Sequence, residues 1–165
     1  MTQWNQIEDV LRRHHVTDVL VPGLIDRDEG PFPMFRPQPL VVHVVLGDEQ
    51  ALRLESVGQN DQLTVRVVDS ISLEGVEFFE RVEEETDDEI AQASWGEQLF
   101  GDGWSQLRCT VARPYTDGGS NAAEGVIKCL ALELESRYWL FFDPTWTFGI
   151  KIGTAEDMRR WEQEH

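Results

Sequence analysis

The sequence is poor in basic side chains and in cysteine. Its 165 residues include 14 lysines and arginines against 31 aspartates and glutamates, which gives a net charge of −17. Because phosphate backbones and anionic membrane surfaces are bound by lysine and arginine, this balance argues against nucleic acids and membranes as partners. The two cysteines, Cys109 and Cys129, form no CxxC pair, so neither a zinc site nor a disulfide framework is expected.

The chain also lacks long apolar runs and the common short catalytic motifs. Its first residues hold neither a basic start nor an apolar stretch, so no signal peptide is predicted. No apolar run is long enough to span a bilayer, and we therefore expect a cytoplasmic protein. No GxSxG, HExxH, GxGxxG or GxxxxGK[ST] pattern occurs, and we predict neither a metal nor a cofactor.

The pattern of apolar residues predicts an α+β protein that is mostly β, folded as a single domain over residues 1–165. Residues 40–46 are a nearly continuous apolar run, and apolar and polar residues alternate in the two segments that follow it, so residues 40–73 are predicted to form a three-stranded antiparallel meander. The alternation returns in residues 104–152. A short helix is expected near each terminus, over residues 3–14 and after Thr154. Pro22-Gly23 is expected to end a strand, and the proline-rich residues 26–39 to form an irregular connection.

A run of acids occupies the middle of the chain, with six acidic residues in the seven positions from Glu83 to Glu89. Thr86 followed by Glu89 is typical of a capping box, so a helix from Asp87 to Trp95 is predicted after the acidic run. The run has three interpretations, in decreasing order of preference. They are a solvated surface, a contact surface for a basic protein, and a site for a divalent cation.

Two tryptophans near the acidic run complete a candidate surface for binding a partner. Aromatic rings beside acids can hold arginine and lysine side chains of another protein, although the same rings can simply close the sheet. The candidate residues are Glu83, Glu84, Glu85, Asp87, Asp88, Glu89, Trp95 and Trp104. By contrast, we interpret Phe32, Met34 and Phe35 as anchors that hold the proline-rich loop on the core.

His43 and the cysteines are the remaining residues with reactive side chains. His43 lies within a predicted strand, where a histidine is more typical of a sheet than of a catalytic base. An enzyme would need a carboxylate beside His43 to complete an acid–base pair. Cys109 is predicted to point toward the core with Leu107 and Val111, whereas Cys129 is expected to be more accessible.

In general character the sequence is similar to bacterial immunity proteins that neutralise toxins, being small, acidic, rich in strands and without a catalytic motif. The likeness is one of composition and pattern, and it assigns no residue. It implies a non-catalytic binding protein of the immunity or inhibitor type, whose partner is a basic protein such as a toxin. The alternatives are an enzyme assembled around His43 and a carboxylate, and an assembly subunit that uses a sheet edge. The oligomeric state is left open.

Overall fold

The protein is built mainly from antiparallel strands, with short helices near both termini, as the alternating pattern predicts. The computed structural model describes residues 2–28, 30–47, 49–59, 61–100 and 106–165. The helices are α1 (Gln3–Arg13), α2 (Glu77–Glu85), α3 (Gly96–Phe100) and α4 (Ala155–Glu164), with a 3₁₀ turn at Ala122–Glu124. The strands are β1 (His15–Asp26), β2 (Met34–Pro37), β3 (Val41–Leu46), β4 (Ala51–Val57), β5 (Gln62–Val68), β6 (Glu89–Ser94), β7 (Leu107–Tyr115), β8 (Val126–Ile127), β9 (Cys129–Leu134), β10 (Tyr138–Trp146) and β11 (Gly149–Gly153).

The strands follow the order β11–β10–β9–β7–β1–β3–β4–β5–β8. The predicted meander is confirmed as β3, β4 and β5, each paired antiparallel with the next. The long strand β1 pairs with β3 and β7 in its first half, and with β2 and β6 in its second half. A single residue, Lys128, separates β8 from β9, so the chain passes there from the first half of the sheet to the second.

The main core lies between these two halves, β1–β3–β4–β5 on one side and β7–β9–β10–β11 on the other. Alternate residues point inward from each strand, as the period of two requires. The buried contributors include Val42, Val44, Leu52, Leu54, Leu63, Leu130, Leu132, Phe142 and Ile150. Helix α1 adds Ile7, Val10 and Leu11 to the same core, so its apolar side closes the space between the sheets.

A helix covers the outer face of each half of the sheet. Phe79 of α2 packs with Val41 over the first half, and Met158 of α4 packs with Phe141 over the second. The helix expected after Thr154 is confirmed as α4, and Thr154 is its N-cap, whose N–H is accepted by the Asp157 carboxylate at 2.8 Å. In the part of the chain that the structure describes, no helix is long and apolar enough to cross a membrane.

The helix predicted from Asp87 to Trp95 is wrong, because α2 ends where that helix was expected to begin. Thr86 donates its hydroxyl to the carbonyl of Val82 at 2.7 Å, and the Asp88 N–H donates to the same hydroxyl at 3.2 Å. The following residues form β6, paired with β1. The buried apolar side of α2, which holds Phe79 and Val82, decides the helix position, because tertiary packing outweighs a capping preference.

The break predicted at Pro22-Gly23 is also wrong, since β1 continues to Asp26. Proline has no N–H to donate, but the Pro22 carbonyl accepts the Gln38 N–H at 2.8 Å. This bond joins β1 to the residue that follows β2. At Gly23 a Cβ atom would collide with the Arg36 carbonyl and the Phe35 ring. Glycine therefore lets β2 approach closely, and the connection predicted to be irregular contains a strand.

A bulge in β7 changes the predicted orientation of its side chains. The register with β9 shifts between Cys109 and Val111, so the two residues no longer share a face. Val111 is exposed, Cys109 is half-buried and Cys129 is fully buried. The prediction that Cys129 is the more accessible cysteine is therefore wrong.

Candidate functional site

The acidic segment, residues 83–89, connects α2 to β6. Its first three acids form the last turn of α2, the next two lie in the connection, and Glu89 begins β6. All six acidic side chains are exposed, as a solvated or partner-binding surface requires. Among the described residues, no three histidine, cysteine, aspartate or glutamate side chains are arranged to hold a metal ion, so the cation interpretation has no geometric support.

The hairpin of β1 and β2 lies next to the acidic segment. Arg27 donates from Nη2 to Oε2 of Glu89 at 2.8 Å, which joins the end of β1 to the start of β6. A cleft of about 270 Å³ lies here, and Asp28 and Arg36 of the hairpin line it together with Asp88 of the acidic segment. The fold therefore brings acids of the β1–β2 hairpin next to the acidic segment, although the two are far apart in sequence.

Two carboxylates of this cleft have no ion-pair partner among the described residues. Asp26 forms an ion pair with Arg36 at 3.0 Å, and Arg27 is paired with Glu89. In the described ranges, no basic side chain lies within ion-pair distance of the Asp28 or Asp88 carboxylate. The cleft therefore presents two negative charges to an external cation.

The tip of the hairpin adds apolar surface to this region. Phe32 is 76% exposed and Met34 is 54% exposed, and Met34 lies directly opposite Asp26 in the β1–β2 register. The interpretation of Phe32 and Met34 as anchors of the loop is therefore wrong, and only Phe35, which lies over Gly23, is half-buried. Exposed large apolar side chains surrounded by charge are typical of surfaces that bind other proteins.

Trp95 lies at the opposite end of β6 from the acidic segment. It lies six positions after Glu89, which corresponds to about 20 Å of extended chain. Its side chain packs against the main core, and its backbone N–H donates to the Val19 carbonyl at 2.9 Å. Trp104 lies outside the described residues. The structure thus does not join Trp95 to the acids in one surface, and its packing agrees with the alternative in which this ring closes the sheet.

His43 has no acid–base partner in the described structure. The side chain is fully buried, and neither ring nitrogen has a hydrogen-bond partner among the described residues. Burial, followed by the nearby charge of Arg53, lowers the pKa of His43 to about 4, so the imidazole is neutral at physiological pH. The residue opposite His43 on β4 is Arg53 and not a carboxylate, so the pair that the enzyme hypothesis requires is not formed.

The edge strand β2 is poorly suited to pairing with another chain. It is four residues long, it ends at Pro37, and Pro33 immediately precedes it. Proline has no N–H to donate, and short edge strands that carry proline are a common protection against strand addition. This edge therefore gives little support to the hypothesis of an assembly subunit.

Comparisons with known proteins identify no relative of this chain. No family model, no curated protein and no solved structure matches it. The functional argument therefore rests on the geometry of the described residues. Sequence reasoning missed Asp28, Phe32 and Met34, although Pro31, Pro33 and Pro37 around a short apolar stretch could have indicated an exposed edge hairpin.

Proposed function

We propose that the chain is a non-catalytic binding protein of the inhibitor or immunity type, which binds a basic protein through the acidic segment and the neighbouring β1–β2 hairpin. The observation that carries this proposal is that Asp28 and Asp88, which have no ion-pair partner among the described residues, line one cleft at the end of β1 where the β1–β2 hairpin also exposes Phe32 and Met34. Charge and apolar surface occur together here, as they do in protein interfaces.

The charges of this surface act on the rate of association. A net charge of −17 attracts a basic protein at long range, and the local acids orient its approach. Exposed acids contribute little to folding, so their concentration on one surface has no evident structural benefit. Arginine or lysine side chains of the partner would pair with Asp28 and Asp88.

The apolar side chains act on the lifetime of the complex. Phe32 and Met34 project into solvent, where their removal costs the fold little buried area. On binding they would enter an apolar pocket of the partner, with the acids forming the polar rim around them. Truncating these two side chains is therefore expected to increase the dissociation rate and to leave the association rate, which depends on the charges, unchanged.

The proposal is tested by capture followed by kinetics. The immobilised chain is exposed to a lysate of its source cells at about 50 mM and about 500 mM salt, and a basic protein that is retained only at low salt is then purified. In a triple variant carrying Asp28→Asn, Asp87→Asn and Asp88→Asn, association should slow at least about tenfold at low salt. The double variant Phe32→Ser, Met34→Ser should mainly increase the dissociation rate.

A matched control separates a local surface from the total charge. The variant Glu124→Gln, Glu156→Gln, Glu164→Gln removes three exposed charges elsewhere and should associate at nearly the rate of the parent. If the two triple variants slow association equally, only net charge matters and the proposed surface is wrong. Failure to retain any basic protein at low salt also contradicts the proposal.

A further inference from the structure

Two arginines lie directly opposite each other on neighbouring strands, Arg53 on β4 and Arg66 on β5. Side chains in this relation share a face of the sheet, with Cβ atoms about 5 Å apart, and like charges so placed destabilise the sheet. The arrangement is unexpected in a chain that has 31 acids and only 14 basic residues. A local arrangement that works against stability is a common sign of a functional site.

Arg53 is held rigidly at the floor of this arrangement. Its side chain is only 6% exposed, and it donates from Nη2 to the Glu74 carbonyl at 2.9 Å and from Nε to the Ser72 carbonyl at 3.4 Å. Glu55 is its ion-pair partner, with Oε1 at 3.3 Å from Nη1. These bonds fix the guanidinium and hold residues 72–74 over the outer face of the sheet.

Arg66, in contrast, is exposed and has no ion pair with any residue that the structure describes. A cleft of about 430 Å³ opens between the two arginines and the segment that follows β5. Gln50, Ser70 and Ser72 contribute further polar groups to its lining, and Asp69 is its one acidic residue in the described structure. Most polar groups of the cleft are therefore able to donate hydrogen bonds.

His43 extends the same row onto β3, directly opposite Arg53. This imidazole is fully buried, and both of its nitrogens lack a hydrogen-bond partner in the described residues. Nitrogen-bearing side chains thus occupy consecutive positions across β3, β4 and β5, where apolar residues would be more stabilising. The row reduces stability at this part of the outer face, and it leaves the guanidinium of Arg66, without an ion pair among the described residues, beside a cleft at whose floor Arg53 is paired with Glu55.

We propose that the cleft between Arg53 and Arg66 binds an oxyanion, a carboxylate or phosphate group of a small ligand. The guanidinium of Arg66 would contact the anion directly, because planar guanidinium groups bind such oxygens through paired hydrogen bonds. Arg53 would contribute its charge from the floor of the cleft, and the hydroxyls of Ser70 and Ser72 further donors. A bound anion would also relieve the repulsion between the two arginines.

Thermal unfolding with two probes tests this proposal and identifies the oxyanion. Phosphate and malonate are titrated separately against sodium chloride at equal ionic strength and neutral pH. Binding to the folded state should raise the unfolding midpoint by about 3 °C or more and then level off as the site fills. A larger rise with one probe indicates whether phosphate or carboxylate chemistry is preferred.

Variants of exposed arginines show whether the effect belongs to this cleft. Arg66→Gln should abolish the saturable rise, and Arg66→Lys should retain part of it, since lysine keeps the charge but not the planar fork. Arg159→Gln, which removes an exposed arginine of α4, should behave as the parent. The proposal is overturned if no saturable rise occurs with either probe, or if the rise persists unchanged in Arg66→Gln.

Discussion

Arg27 and Glu89 form an ion pair, with 2.8 Å between Nη2 and Oε2, across 62 positions of sequence. The pair joins the β1–β2 hairpin to the acidic segment, the two parts of the proposed binding surface. Both side chains are more than half exposed, at 60% and 56%, so solvent screens their attraction. The hairpin is therefore held in place mainly by the strand pairing of β1 with β2 and β6.

The first prediction concerns this ion pair. Arg27→Gln should change the free energy of unfolding by less than about 0.5 kcal/mol, because exposed pairs contribute little. The measurement is urea unfolding at about 0.1 M salt, followed by circular dichroism. A loss of more than about 1.5 kcal/mol would mean that the pair, and not the strand pairing, holds the hairpin in place.

The second prediction concerns the end of α2. Glu83, Glu84 and Glu85 lie in its last turn, where the helix dipole disfavours negative charge and no basic residue compensates. Changing all three to glutamine should stabilise the protein by about 1 kcal/mol at low ionic strength, and the gain should shrink at about 1 M salt.

Glu77→Gln is the matched control for that experiment. Glu77 lies in the first turn of the same helix, where the dipole favours an acid, and it pairs with Arg81. Its replacement should destabilise the protein slightly, by a few tenths of a kcal/mol. Equal effects of the same sign at both ends of α2 would contradict the dipole argument.

The third prediction concerns His43 and pH. The pKa of His43 is about 4 in the folded protein, against about 6.5 in the unfolded chain, so the unfolded state binds the extra proton between these values. The contribution is fully present above about pH 6.5, and up to about 3 kcal/mol is lost as the pH falls toward 4. His43→Leu should remove this part of the pH dependence and should be no less stable at pH 7, since it deletes two buried nitrogens that lack a hydrogen-bond partner among the described residues.

Urea unfolding at several pH values between 7 and 4.5 measures this effect. The parent should lose stability more steeply than His43→Leu over that range. His165→Gln, at an exposed position, serves as the control and should follow the parent. Parallel curves for the parent and His43→Leu would show that His43 keeps an ordinary pKa.

The apolar run of β3 and the period-two alternation that follows it were sufficient to predict the meander and the inward-facing residues of β4 and β5. These patterns failed where a distant strand decided the outcome. Pro22-Gly23 is a break by local rules, yet β2 and β6 both pair with β1 there, and only glycine permits the approach of Phe35. Likewise, Thr86 and Glu89 have the spacing of a helix start, but Thr86 follows the last residue of α2. The buried apolar side of α2 determines where that helix ends.

The candidate site could be predicted only in part for the same reason. The acidic segment can be recognised in the sequence because its residues adjoin one another, and its exposure can be predicted from its charge. The contribution of the hairpin depends on the pairing of β1 with β2 and β6, which no local pattern encodes. The sequence does not show that Arg53 and Arg66 are neighbours, since their opposition depends on the register of β4 and β5.

The fourth prediction concerns the cysteines. Burial raises the pKa of Cys109 to about 11, and burial together with the neighbouring Asp143 carboxylate raises the pKa of Cys129 still further. Because the thiolate is the reactive form, both should react slowly with a thiol reagent at pH 8, and Cys129 more slowly than Cys109. The single variants Cys109→Ser and Cys129→Ser assign the two rates, with urea-unfolded protein as the fast reference. Faster labelling of Cys129 would contradict its buried position in β9.

The last prediction concerns Gly149, at the turn between β10 and β11. Its φ angle is +122°, and a Cβ atom there would collide with the carbonyl of Pro39. That carbonyl also accepts the Ile150 N–H at 2.7 Å, so it cannot move away without loss of the bond that joins β11 to the segment before β3. Gly149→Ala should therefore destabilise the protein by about 2–4 kcal/mol, from backbone strain and the displaced carbonyl together.

Gly118→Ala is the matched comparison, because no atom lies within 4 Å of its added Cβ and its φ angle is not in the left-handed region. This substitution should be neutral or should stabilise the protein by up to about 1 kcal/mol, since alanine has less freedom than glycine in the unfolded chain. Urea unfolding of the two variants measures the contrast under identical conditions. Similar stabilities would mean that the contact between Gly149 and Pro39 does not constrain the hairpin, and that the two halves of the sheet are not tied together at this point.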